Sequence, residues 1–309
     1  MKLRLLLGGL AMAAAVAGPA LADDVTIGFI TKFPVSFYTS MVDGAKAYAA
    51  ANPGVKIIYG QGQSGTDIDG QIALIESMIT QGVKGIAITP VDPTVAKTLD
   101  KAVAAGIKIV LMDNSIPNWT GASALATTDN LAAGKIAGAF LKTQLKDGDK
   151  LGILEGVPGV PALDQRVDGM MAGLDNPKVV IAGKNETDCD ETKGINAAQD
   201  LLTANPDIAA IYSACGPPAA GAAQAIKTAN LPHKVLLVGF DWCCGERDAM
   251  KSGIEIASVA QNPFKMAQLG VDALLKAIKG DKVESVLDSG AGLVTPDNMD
   301  SADFKSGGN

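Results

Sequence analysis

Lys234-Val235-Leu236-Leu237-Val238-Gly239-Phe240-Asp241 reads KVLLVGFD, a run that is apolar on both of the faces a strand presents and is closed by a carboxylate. A strand with water on one side alternates apolar and polar residues. This one does not, which is the pattern of a parallel sheet covered by helices on both faces. The reading repeats along the chain in VTIGFIT (25–31), VKIIYG (55–60), GIAITP (85–90), KIVLMD (108–113), KLGILEG (150–156), KVVIAG (178–183), IAAIYSA (208–214) and IEIASVAQ (254–261). Between these runs lie helical patterns: Met41, Val42, Ala45, Tyr48 and Ala49 share one face, as do Ile72, Ile75 and Ile79, and Asn52-Pro53-Gly54, Gly82 and Gly106 stop the helices. Strands alternating with helices predict an α/β fold. Nine such runs overfill one open sheet for this length. Two similar doubly wound parallel-sheet domains fit better, with a first break near Thr128-Asp129-Asn130 after the short SALATTD (123–129). An eight-repeat barrel is the structural alternative.

At the N-terminus, Lys2 and Arg4 precede an apolar run from Leu5 to Val16, and Ala20-Leu21-Ala22 offers small residues for cleavage. Residues 1–22 therefore read as a secretory signal peptide, with a soluble mature chain from about Asp23. The apolar run is shorter than the ~20 residues a membrane span needs. No cysteine follows the cleavage site, which argues against a lipid anchor. Without the leader, 24 Lys and Arg face 33 Asp and Glu over 287 residues, a net charge of −9 that excludes nucleic acid as an expected partner. An oxidising compartment permits paired thiols.

Ligands of open parallel sheets bind beyond the carboxyl ends of the strands. Lys32, Phe33, Gln61, Asp113, Asn114, Glu155, Cys215, Asp241 and Gln261 stand at those ends. Asp113 and Asp241 carry most weight, because each terminates an otherwise apolar run, whereas a polar residue at a strand end can equally cap the following helix. The G-x-G-x-x-G match at Gly60–Gly65 follows the second strand, and the next strand ends in Thr89-Pro90 without the acid a dinucleotide site requires. It reads as a loop at a cleft mouth. The single histidine, His233, lies in a turn, so nucleophilic catalysis lacks an evident base.

The order and spacing of VTIGFI, FYTSMVDGAKAYA (37–49), GIAITPVDPT (85–94), GIKIVLMDN (106–114), TTDNLAAGKIAGAFL (127–141), LLTANPDIAAIY (201–212), VLLVGFD (235–241) and IASVAQNPFKMAQLGVDALL (256–275) resemble the ribose-type family of periplasmic sugar-binding proteins over essentially the whole mature chain. The resemblance implies a periplasmic receptor for an ABC importer, probed by a membrane permease, and a monomer without enzymatic activity or cofactor. It implies an N-terminal lobe of 23–128 plus 262–289, a C-terminal lobe of 129–261 plus 290–309, and a three-crossing hinge near 129, 261 and 289 with the ligand cleft between the lobes. The ligand would be a small sugar, deoxysugar or polyol. The aromatic pair that covers a sugar ring falls on Phe37 and Tyr38, the two acids on Asp113 and Asp241, and the glutamine on Gln261.

The departures bear on specificity. Asn114 and Asp164 stand where the family commonly has sugar-contacting arginines, and Arg166 matches a neighbouring arginine with a structural role. Cys189 and Cys215 replace an aromatic and an asparagine. These changes predict a more anionic pocket than the family's. Receptors for quorum signals of the autoinducer-2 type are also similar, through Lys32, Asp113 and Asp164-Gln165. A carbohydrate-active enzyme is the alternative from another class.

Cys189, Cys215, Cys243 and Cys244 all fall in loops of the second lobe, and four thiols allow three connectivities. The rarity of vicinal disulfides favours pairings that tie Cys243 and Cys244 to Cys189 and Cys215. A metal thiolate site is disfavoured by the absence of C-x-x-C spacing, so no metal is expected. Trp242, beside Asp241, is expected to add an aromatic wall to the cleft.

Overall fold

The computed structural model describes residues 24–157, 159–304 and 308; residues 1–22, expected to be a signal peptide, lie outside the described residues. The strands of the first sheet are β1 (Val25–Thr31), β2 (Val55–Gln61), β3 (Gly85–Ile88), β4 (Lys108–Met112), β5 (Ala124–Thr127) and β11 (Val286–Asp288), in the spatial order β11-β5-β4-β3-β1-β2. The second sheet contains β6 (Lys150–Glu155), β7 (Val180–Glu186), β8 (Ala210–Ser213), β9 (Leu236–Asp241), β10 (Glu255–Gln261) and β12 (Ala291–Val294), in the order β12-β10-β9-β8-β6-β7. Every pairing is parallel except that of β12 with β10. The two orders are the same pattern used twice, which gives the two α/β domains expected from the doubly apolar runs. The barrel alternative is excluded.

Helices α1 (Ser36–Ala51), α2 (Ile68–Thr80), α3 (Ala96–Ala104) and α9 (Pro263–Lys279) flank the first sheet, and α4 (Asn130–Gln144), α5 (Pro161–Leu174), α6 (Glu191–Ala204), α7 (Gly216–Thr228) and α8 (Glu246–Lys251) flank the second. Each sheet is buried on both faces. Ile27, Phe29, Val110 and Met112 pack toward α1 and α9, while Ile30, Ile86, Ile88 and Ile109 pack toward α2 and α3. Sequence-local signals start the helices: Asp67, Asp129, Asp190 and Asn262 each accept a hydrogen bond from a first-turn N–H. Helices α4 and α5 approach so closely that a Cβ on Gly138 would lie 2.0 Å from the Met170 carbonyl oxygen. Among the described residues no helix is long and apolar enough to cross a membrane.

In each order the sequence of strands reverses direction at one place, between β1 and β3 and between β6 and β8. The loops beyond those carboxyl ends open a crevice. The chain passes from β5 into α4, from β10 into α9, and from β11 to β12 through Ser289 and Gly290, changing sheets each time.

Candidate ligand-binding cleft

The chain leaves its strands at the cleft in uncommon conformations. Asp113 and Asp241, the last polar residues of their runs, have φ of 63° and 85°, and Trp242, Asp188 and Cys189 have φ of 53°, 50° and 53°. Non-glycine residues in the left-handed region cost free energy, and their clustering marks a site whose surroundings over-determine the backbone. Asp113 is held by its own N–H donating to the Ala126 carbonyl at 2.8 Å and by the Thr127 hydroxyl donating to its carbonyl at 2.7 Å.

These loops enclose a cavity of about 60 Å3. From the first lobe come Lys32, Phe33, Phe37, Tyr38, Asp113 and Asn114; from the second come Arg166, Asp188, Cys189, Asp241, Cys243 and Gln261. Tyr38 donates to Asp113 Oδ2 at 3.2 Å, and its ring meets those of Phe33 and Phe37 edge-on at 5.3 and 5.1 Å. Burial pushes the Tyr38 phenol well above its ordinary pKa, so it is a neutral donor. Burial also raises the Asp113 carboxyl, opposed by Lys32 and Arg166, and lowers the Lys32 ammonium, opposed chiefly by Asp113. Among the described residues Lys32 has no hydrogen-bond or ion-pair partner, which leaves its three donors for an occupant.

Arg166 organises the second lobe's side. It donates to Asn130 Oδ1 at 2.8 Å, the Ala214 carbonyl at 2.9 Å and Asp241 Oδ1 at 3.0 Å, with its guanidinium 4.1 Å from the Phe240 ring centroid. Asp241 also accepts from Gln261 Nε2 at 2.6 Å and from the Gly216 N–H, at the first turn of α7, at 3.0 Å. The Arg166 and Asp241 side chains are 4% and 14% exposed, so this is a buried ion pair with most of its hydrogen bonds satisfied from within. Asp241 therefore has a structural duty beyond ligand contact. Gln261 Oε1 has no partner among the described residues.

Lys32, Phe37, Tyr38, Asp113, Asn114, Asp241 and Gln261 thus line one cavity. Asp164 and Cys215 do not. Asp164 lies on the exposed face of α5, where Asp168 and Glu155 are its charged neighbours, and Cys215 is buried behind the cavity in a disulfide with Cys189. In the cavity lining the cations Lys32 and Arg166 stand against three carboxylates, Asp113, Asp188 and Asp241. Arg166 was legible only as a structural arginine, although its place on the apolar stripe of Leu163, Val167, Met170 and Leu174 signals a cation turned inward.

The cysteine pairing is corrected as well. Cys189 joins Cys215, and Cys243 joins its neighbour Cys244. The loops are placed for it: Cys189 and Cys215 have Cα atoms 5.6 Å apart, inside the span a disulfide bridges. Trp242 turns away from the cavity, donating to the Phe304 carbonyl at 2.9 Å and lying 5.3 Å from the Arg247 guanidinium. It lines a second, larger cavity of about 410 Å3 on the hinge side with Ser289, Gly292 and Phe304. That space shares Phe37, Asp241, Cys243 and Gln261 with the first but lacks Lys32, Asp113 and Arg166, so the smaller cavity holds the convergent chemistry.

Residues 27–282 match the periplasmic binding protein domain family. The chain belongs to that family. It is 33% identical over 288 residues to the ribose import binding protein of Haemophilus influenzae, covering 92% of this chain and 96% of that one. Among solved structures it resembles a carbohydrate transporter solute-binding protein from Agrobacterium radiobacter in complex with D-arabinose, with a TM-score of 0.84, 30% identity, and 94% and 100% of the two chains covered. An ABC transporter solute-binding protein from Agrobacterium vitis with bound D-fucose aligns with a TM-score of 0.84 at 28% identity, covering 91% of this chain and 99% of that one. The family's extracytoplasmic setting agrees with two disulfides in this chain.

Proposed function

We propose that this protein is the receptor of an ABC importer, capturing a small polyhydroxylated ligand between its lobes and presenting the closed form to a membrane permease. The observation that carries the reading is the convergence, from both sheets on one cavity, of Lys32, Asp113 and Asn114 with Arg166, Asp241 and Gln261. Carboxylates and cations make charge-assisted hydrogen bonds to hydroxyls, and the faces of Phe37 and Tyr38 cover the C–H surface of a ring. The cavity is well under the ~300–1,000 Å3 of sites for drug-sized ligands, which supports a small sugar, deoxysugar or polyol.

A ligand that touches both lobes favours the closed state by its differential affinity for it. The lobes in this reading are 23–128 plus 262–289 and 129–261 plus 290–309, with the three crossings as the hinge. The receptor acts as a monomer, without cofactor or nucleic acid, and performs no chemistry on what it binds. The quorum-signal reading loses Asp164, which lies outside the cavity, and rests on Lys32 and Asp113 alone.

The test is a thermal-shift screen of the purified mature protein over pentoses, hexoses, deoxysugars, polyols and small quorum signals, with product analysis of every hit. At least one sugar or polyol should raise Tm without turnover, and Lys32→Met should abolish the shift. Hydrolysis of a glycoside, or stabilisation by none of these classes, overturns the reading.

A further inference from the structure

We infer that the Cys243–Cys244 disulfide is a specificity-determining wall of the cleft, a face without hydrogen-bonding groups that selects a deoxysugar over its fully hydroxylated counterpart. The inference rests on the proposed receptor function and narrows its ligand class.

The disulfide follows Asp241 by two residues on the same loop, and Cys243, only 5% exposed, borders both cleft cavities. It belongs to the second lobe, yet Cys243 and Cys244 pack in one apolar cluster with Phe33, Val35, Phe37 and Tyr38 of the first. The Ser36 hydroxyl donates to the Cys243 carbonyl across the same gap. The loop is held from behind by Glu246, buried completely, which accepts the N–H of Cys243 at 3.1 Å and the N–H of Cys244. Both sulfurs sit against the first turn of α7: a Cβ on Gly216 would lie 2.8 Å from Cys243 Sγ and 3.1 Å from Cys244 Sγ. The adjacent Pro217 also lines the cavity, as do Val157 and Leu163 of a separate apolar cluster.

The cavity therefore has two chemistries. Lys32, Asp113, Arg166 and Asp241 supply charged donors and acceptors to it. Beside Asp241, where Cys243 lines the cavity, a disulfide offers no N–H or O–H and only weakly accepting sulfur. A ligand hydroxyl turned toward it forfeits its hydrogen bonds to water without replacement, whereas a C–H or methyl group forfeits nothing. An apolar wall also discriminates by contact with a methyl group, on the scale of roughly tenfold per group.

The test is calorimetric titration of the oxidised mature protein with three matched pairs: D-fucose and D-galactose, L-rhamnose and L-mannose, and 2-deoxy-D-ribose and D-ribose. In at least one pair the deoxy member should bind about tenfold or more tighter. In the C243S/C244S variant, which removes the disulfide and places a hydroxyl on the cavity-lining residue 243, that ratio should fall toward unity. Equal or tighter binding of the hydroxylated member in every pair overturns the inference, and does so on the unmodified protein even if the variant fails to fold. A ratio that survives the substitution also overturns it. Binding of none of the six overturns it while leaving the receptor reading standing if a polyol or another sugar is bound in the wider screen.

Discussion

The two lobes repeat one strand order but hold their cleft groups in different ways. In the first, Asp113 is steadied by one phenol, Tyr38, within a packed trio of aromatic rings, and the nearby Lys32 has no hydrogen-bond partner among the described residues. In the second, Asp241 is tied by Arg166, Gln261 and a helix N–H, one disulfide cross-links two of the surrounding loops, and a vicinal one closes a ring within Asp241's own loop. Packing leaves a charged group available; a hydrogen-bonded ion pair and covalent bonds fix it in advance. The first lobe thus keeps donors in reserve for a ligand, and the second supplies a rigid face against which the ligand is placed.

The sharpest way to break this contrast is to remove one acid from each side. Asp241→Ala strands a buried guanidinium, so urea unfolding of the apo protein should show a loss of about 3–5 kcal/mol along with lost ligand response. Asp113→Asn, which replaces an acid whose pKa burial already raises, should cost about 1 kcal/mol or less by the same measurement. Equal losses would show that both acids do the same structural work. Next come the cross-links. Cys189→Ala/Cys215→Ala opens a span of 26 residues and should cost about 3 kcal/mol, whereas the vicinal pair, with a separation of 1, should contribute under about 1 kcal/mol through chain entropy. Thiol titration of the denatured protein should find none before reduction and four after.

A pH effect of similar or smaller size separates the lobes further. Burial lifts the Glu246 carboxyl of the second lobe from 4.5 to about 7. Its folded form therefore holds a proton that the unfolded chain releases near pH 4.5, so this contribution is complete below pH 4.5 and is lost as pH rises through about 7. At most about 3 kcal/mol should disappear over that interval in denaturant titrations, and Glu246→Gln should flatten the slope. No such flattening would place the proton elsewhere. The smallest expected effect is that of Asp164→Ala: ligand affinity should stay within about twofold and stability within about 0.5 kcal/mol, as for an exposed side chain away from special contacts.

The architecture was legible because apolar runs such as KVLLVGFD report burial of both faces directly. Edge strands report less. β11 and β12 are short and partly exposed, and nothing in VLD or AGLV distinguishes them from loop. Positions at strand ends located Lys32, Asp113, Asp241 and Gln261, because topology alone delivers them to the crevice. Asp164 misled because a residue one turn into a helix can face either way, and here the inward place belongs to Arg166. The cysteine pairing was illegible for a different reason: it depends on loop conformation, including the left-handed Asp188, Cys189, Asp241 and Trp242 that composition does not forecast. Trp242 followed the same backbone turn and went to the far side of its loop.

The strands β11 and β12, separated only by Ser289 and Gly290, have a consequence for how the molecule is made. They cover the free edges of β5 and β10, one in each sheet. A growing chain halted before Val286 has two open sheet edges at once, and both close only when the segment ending at Val294 has been synthesised. Both sheets therefore gain their last strand from one short segment close to the end of the described chain.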